Sequence, residues 1–174
     1  LLLIAGGLPV QAGGPPDLGE VTHWLYLLDV DIEPDTIEQI RASTYDMVVI
    51  DFIPSEVSNT DFPLAEVIDK WHTAPNPKLV FAYIDIGQAE SYRTYWQPDW
   101  GIGNPEWILS EDPDGWVENY PVAFWFDEWR DIWLADGGYL EQIADAGFDG
   151  VYLDWVEVYD DTTVIDFAEE DGVD

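Results

Sequence analysis

Acidic residues close the apolar runs of this chain in a repeated pattern. Met47-Val-Val-Ile50 ends in Asp51, Leu79-Val-Phe-Ala-Tyr-Ile84 runs into Asp85, and Gly150-Val-Tyr-Leu153 ends in Asp154. Carboxyl groups brought to one place suit hydrolysis of a glycosidic bond, where one attacks or activates water and the other protonates the leaving oxygen. Asp154 is the strongest candidate, because a strand presents it with the fixed geometry that a nucleophile needs. A loop-capping carboxylate is the competing role for it. Asp51 and Asp127 are weaker candidates, since strand-end and turn Asp residues commonly accept bonds from nearby backbone N–H groups.

A second constellation lies in Tyr83-Ile-Asp-Ile-Gly-Gln-Ala-Glu-Ser-Tyr-Arg93. It holds Tyr83, Asp85, Glu90 and Arg93, with Gly87 permitting a sharp turn at the strand end. An arginine near several carboxylates lowers their pKa values and orients them. Glu90 and Arg93 therefore read as a buried ion pair, as a substrate contact, or as both.

Ten tryptophans add a third signal. The C–H face of a pyranose packs on an indole, whose N–H can bond a hydroxyl. Most belong to the core, and Trp96, Trp125 and Trp155 are placed best for a cleft. His23 and His72 show no metal spacing, so neither a metal nor a cofactor is expected. The run Asp29-Val-Asp-Ile-Glu-Pro-Asp35 imitates a calcium loop but lacks its central Gly and its distal Glu. Cysteine is absent, which excludes thiolate sites, and no G-x-S-x-G or phosphate loop occurs.

The elements that position these residues follow from hydrophobic pattern. Four continuous apolar runs, the three above and Trp24–Leu28 ended by Asp29, predict strands covered on both faces, as in parallel sheets. Between them, Pro34 and the capping-box pattern Asp35-Thr-Ile-Glu38 predict a helix reaching Ser43, and a second helix covers Leu64–His72 before Pro75. A third covers Asp131–Ala146, interrupted at Gly137-Gly138 and stopped by Gly147. Strand and helix in alternation mean βαβ units. The first strand is followed by acids rather than by a glycine-rich turn, which disfavours a nucleotide fold. The expected fold class is therefore α/β, a (β/α)8 TIM-barrel type, whose active groups sit at the C-terminal strand ends. Such a barrel takes about 250 residues, so the chain is expected to stop after about strand four, with Glu169–Asp174 a loop towards a helix not included. Ile86–Phe126, which carries five of the tryptophans, is expected to form substrate walls.

Composition narrows the function. Thirty-seven acids against five basic residues give a formal charge of −32, which excludes nucleic acid as a partner because phosphate binding needs Lys and Arg. Adaptation to a salty medium is one explanation of the acidity, and attraction of a polycationic substrate is another. The apolar Leu1–Val10 followed by Val10-Gln-Ala12 reads as a signal-peptide remnant over 1–12. A linker over 13–21 and a barrel half over 22–174 follow. A secreted protein is expected, with no membrane contact after cleavage and monomeric at full length.

Four stretches together resemble glycoside hydrolase family 114, the endo-α-1,4-polygalactosaminidase-like proteins: Tyr45–Asp51 (YDMVVID), Tyr83–Trp96 (YIDIGQAESYRTYW), Phe124–Trp129 (FWFDEW) and Gly147–Asp154 (GFDGVYLD). The resemblance spans about residues 22–161. It implies a (β/α)8 barrel that cuts internal α-1,4 bonds of galactosamine-containing polysaccharide with retention. The strand-four Asp, matching Asp154, would be the nucleophile, and a Glu near strand six the acid/base. No residue of this chain matches that Glu, so the chain alone is expected to be inactive. Asp85 departs from the small or amide residue expected there, which bears on substrate preference. Deacetylated galactosamine is cationic, so acidic walls would attract it. A non-catalytic carbohydrate-binding or cell-surface barrel and a calcium-dependent structural module are the alternatives.

Overall fold

A computed structural model describes residues 14–28, 32–52 and 62–173. The signal-remnant segment 1–12, Asp29 at the end of the first run, the Asp29–Asp31 part of the calcium-like pattern and Pro54 lie outside the described residues.

The apolar runs form the strands β1 (Trp24–Leu27), β2 (Met47–Asp51), β3 (Leu79–Asp85) and β6 (Gly150–Asp154), joined as one parallel sheet in the order β1-β2-β3-β6. Successive strand residues face opposite ways. Val48, Ile50, Val80, Ala82 and Ile84 meet α1 (Pro34–Ala42) and α2 (Leu64–His72) in the main core, where Ile37, Ile40, Leu64, Val67, Ile68 and Trp71 pack. Trp71 also donates its indole N–H to the Ile37 carbonyl at 3.1 Å, fastening α2 to α1. On the other face the rings of Trp24, Tyr26, Tyr83 and Tyr152 gather with centroids 5.2 to 6.4 Å apart. This face is partly open, for Trp24 and Tyr26 are exposed.

Several elements differ from expectation. α1 is capped at Glu33 without a side-chain bond, so Asp35 lies inside its first turn. Pro34 explains this, because its fixed φ and missing N–H suit the first helical position and start the helix before the capping-box pattern. The third helix is two: α3 (Asp127–Leu134) and α4 (Tyr139–Ala146). Gly137 between them stands at φ +77°, where a helix cannot run. Glu169–Asp171, expected as the start of a loop, is the end of α5, which covers Thr162–Asp171. Its cap is Asp161, whose carboxylate accepts from Thr163 and Val164 N–H at 2.9 and 3.1 Å, and that Asp-Thr-Thr start signal was readable in the sequence.

The long segment 86–126 is not a set of free walls. It contains the antiparallel pair β4 (Gln88–Glu90) and β5 (Asn119–Pro121), a bridge between Ile108 and Val122, and Trp107, Ile108, Val122 and Ala123 in the core. At the opposite end of the sheet Lys78 is fully buried and donates to the carbonyls of Ser43, Tyr45 and Asn76 at 2.8 to 3.0 Å. Burial pulls its pKa below the usual lysine value.

Candidate active site

Parallel register places the strand tips side by side. Asp51 is level with Tyr83, Tyr83 with Tyr152, and Asp85 with Asp154. These tips floor a cleft of about 890 Å³, near the upper end of the roughly 300–1,000 Å³ of small-ligand sites.

Both oxygens of Asp154 are held. Tyr83 donates its hydroxyl to Oδ2 at 2.6 Å, and the Trp155 N–H donates to Oδ1 at 3.0 Å. Burial, followed by the bond to Asp154, raises the Tyr83 pKa far above the phenol range, so the ring stays a proton donor. Trp155 reaches its position only by adopting φ +51°, a left-handed conformation that costs a non-glycine residue about 1 kcal/mol or more. Gly87 makes room for it, since a Cβ there would lie 2.3 Å from the Trp155 carbonyl oxygen. The segment after β3 and the segment after β6 therefore pack closely at Gly87 and Trp155, which holds the Trp155 amide against the Asp154 carboxylate.

Asp85 is of a different kind. Its Oδ1 accepts from the N–H groups of Gly87 and Gln88, both at 2.9 Å. Burial, then the negative charges of Glu90 and Asp154, outweigh those two donors and raise its pKa to about 8. A neutral acid thus stands beside Asp154 at neutral pH. Glu90 and Asp51 meet through Arg93, whose Nε donates to Glu90 at 2.7 Å and whose Nη2 donates to Asp51 at 3.0 Å. Burial opposes the charge on Arg93, yet Glu90 and Asp51 raise its pKa above the usual value. Tyr92 adds a hydroxyl bond to Glu90.

Asp51, Tyr83, Asp85, Glu90, Arg93, Asp154 and Trp155 thus share the cleft. Three sequence candidates do not line it. Trp96 stacks on Tyr120 with centroids 5.3 Å apart. Trp125 stacks on Phe167 and donates its indole N–H to Asp171 at 2.9 Å, so it anchors α5. Asp127 is exposed in the first turn of α3, where it pairs with Arg130. Position in sequence did not reveal this, because the Trp96 ring packs on Trp100 and Tyr120 within the 86–126 segment and the Trp125 ring packs on α5. Tyr26, Gln88, Asp112, Trp116, Glu118 and Glu157 line the cleft without having been singled out. The turn-forming Asp112-Pro-Asp-Gly115 was the one signal that pointed to the rim.

What the arrangement can do chemically is present a carboxylate, fixed at both oxygens, to a ligand in an acid-walled cleft. Among the described residues the lining acids are Asp51, Asp85, Glu90, Asp112, Asp114, Glu118, Asp154 and Glu157, and the lining cation is Arg93.

Comparison with known proteins gives concordant results. Residues 11–174 match the model of glycoside-hydrolase family GH114. An uncharacterized protein of Deinococcus radiodurans is 38% identical over 144 residues, covering 83% of this chain and 43% of the relative. One of Thermotoga maritima is 35% identical over 138 residues, covering 79% and 39%. The chain therefore spans about two fifths of the length of these relatives. The solved glycoside hydrolase domain of PelA from Pseudomonas aeruginosa has a similar fold, with a TM-score of 0.52 at 12% identity over 80% of this chain and 46% of that domain.

Proposed function

Because the chain belongs to glycoside hydrolase family 114, we propose that it forms the nucleophile-bearing part of a glycosidase and that Asp154 is the nucleophile. The observation that carries the reading is the double hold on Asp154 at the cleft floor by Tyr83 and Trp155. A nucleophile bound at two oxygens keeps its attack geometry without reorganising in the transition state. A carboxylate so placed attacks an anomeric carbon to give a covalent glycosyl intermediate, which water then hydrolyses. The acid/base that assists both steps is assigned to the remainder of a (β/α)8 barrel, about 5–5.5 Å from Asp154 for a retaining reaction. Completion of that barrel would also cover the ring-bearing sheet face of Trp24, Tyr26 and Tyr152.

The substrate we assign is an α-1,4-linked, galactosamine-containing polysaccharide in its cationic, deacetylated form, and the setting is extracellular. Among the described residues, eight acids, of which Asp85 is neutral, line the cleft against one arginine; this balance favours an ammonium-bearing sugar, and a low-dielectric cleft focuses that field. Replacement of Asp154 by Asn tests the nucleophile in the intact protein. Release of reducing ends from the deacetylated polymer should fall by about 10³-fold or more, with unchanged circular dichroism and melting temperature. Hydrolysis retained near the parent rate would remove Asp154 from the mechanism.

A further inference from the structure

The rim of the cleft carries Trp116, a residue 72% exposed, on the segment that leads into β5. Its backbone is nonetheless held. The buried Asp112 accepts the Trp116 N–H through Oδ1 at 2.9 Å and the Gln88 side-chain amide through Oδ2. Asn119 donates to the Gln88 Oε1 at 3.2 Å, and the Ser91 N–H donates to the Glu118 carbonyl at 2.9 Å. Gln88 is itself tied to the strand tip, because its N–H donates to Asp85. A continuous run of hydrogen bonds, from Asp85 through Gln88 and Asp112 to Trp116, fixes the Trp116 backbone in relation to the strand tip that carries Asp85.

An exposed indole gains nothing from water, and a ring on a loose loop would fold back onto apolar surface. A fixed backbone with the ring outside therefore presents the ring to a ligand. Asp114 and Glu118 line the same part of the cleft. An apolar protein partner would desolvate those carboxylates without compensation, whereas an amino sugar offers a C–H face to the indole and an ammonium to the acids.

We infer that Trp116 is the stacking platform of a remote sugar subsite, which takes an amino-sugar ring of the same chain whose scissile bond lies over Asp154. This inference rests on the glycosidase reading above. The test uses the intact protein, its Trp116→Ala and Trp116→Phe variants, and deacetylated galactosamine oligomers: the shortest that is cleaved and a long one. Trp116→Ala should lower kcat/KM for the long oligomer, relative to the short one, by about tenfold. The change should enter through KM, with Trp116→Phe restoring most of it. An unchanged ratio, or an equal loss on both oligomers, overturns the platform and leaves the glycosidase reading standing. Failure of the parent protein to cleave either oligomer overturns both.

Discussion

The residue that changes the chemistry of this cleft most is Asp85, an acid placed where burial keeps it neutral. Its folded-state pKa of about 8 stands above the ordinary 3.8. Between those values the folded protein holds a proton that the unfolded chain releases, so stability falls as pH rises through the window and levels off above it. Asparagine accepts the same two backbone N–H bonds and has no proton to lose. Asp85→Asn should match its parent near the acid end of the window and exceed it above pH 8 by on the order of a few kcal/mol. Urea denaturation across that range measures the difference, and a difference that stays constant with pH would refute the assignment. Tyr83 and Trp155 depend on the same locality, for each donates to Asp154 from a strand tip or the turn beside it.

At the scale of elements, the site is as rigid as the sheet that carries it. Lys78 closes the far end of that sheet by bonding carbonyls of two connections, Ser43 and Tyr45 before β2 and Asn76 before β3. The His72–Asp149 bond at 2.9 Å adds a link from α2 to the entry of β6. Lys78→Met keeps the apolar stem but leaves the Ser43 and Asn76 carbonyls without this donor, while the Tyr45 carbonyl keeps the Asn76 amide, so it should destabilise the fold by about 2 kcal/mol. Chemical denaturation measures this loss, and a change under about 0.5 kcal/mol, ordinary for surface positions, would show that the lysine is not a fastener. The split of the predicted third helix comes from backbone geometry at one glycine, Gly137, which overrides apolar periodicity.

For the whole molecule, charge is the dominant property. Two of the five cations, Lys78 and Arg93, are buried together with the acids Asp85, Glu90 and Asp112, so nearly all of the formal −32 is carried by the surface. Self-repulsion of that kind weakens a compact state and is screened by salt. Raising ionic strength from about 0.1 M to about 1 M shortens the screening length from roughly 10 Å to roughly 3 Å. The melting temperature should rise over that interval in sodium chloride, and should not rise to the same degree in sucrose of equal osmolality. A melting temperature that is flat or falling with salt would mean that the carboxylates are not in net repulsion.

Much was legible in the sequence because it depends on local order. Continuous apolar runs set the four parallel strands, and a strand that ends in Asp delivers that Asp to the tip, so Asp51, Asp85 and Asp154 were found without coordinates. The pair Glu90–Arg93, three residues apart, was legible for the same reason. The tertiary structure alone decided which tryptophans face the cleft, since an indole's exposure depends on what packs against it from distant sequence. It moved Trp96 and Trp125 to packing roles and brought Trp116 to the rim. It alone also fixed the protonation of Asp85, because desolvation and the approach of Glu90 and Asp154 arise only when separate strands are brought side by side.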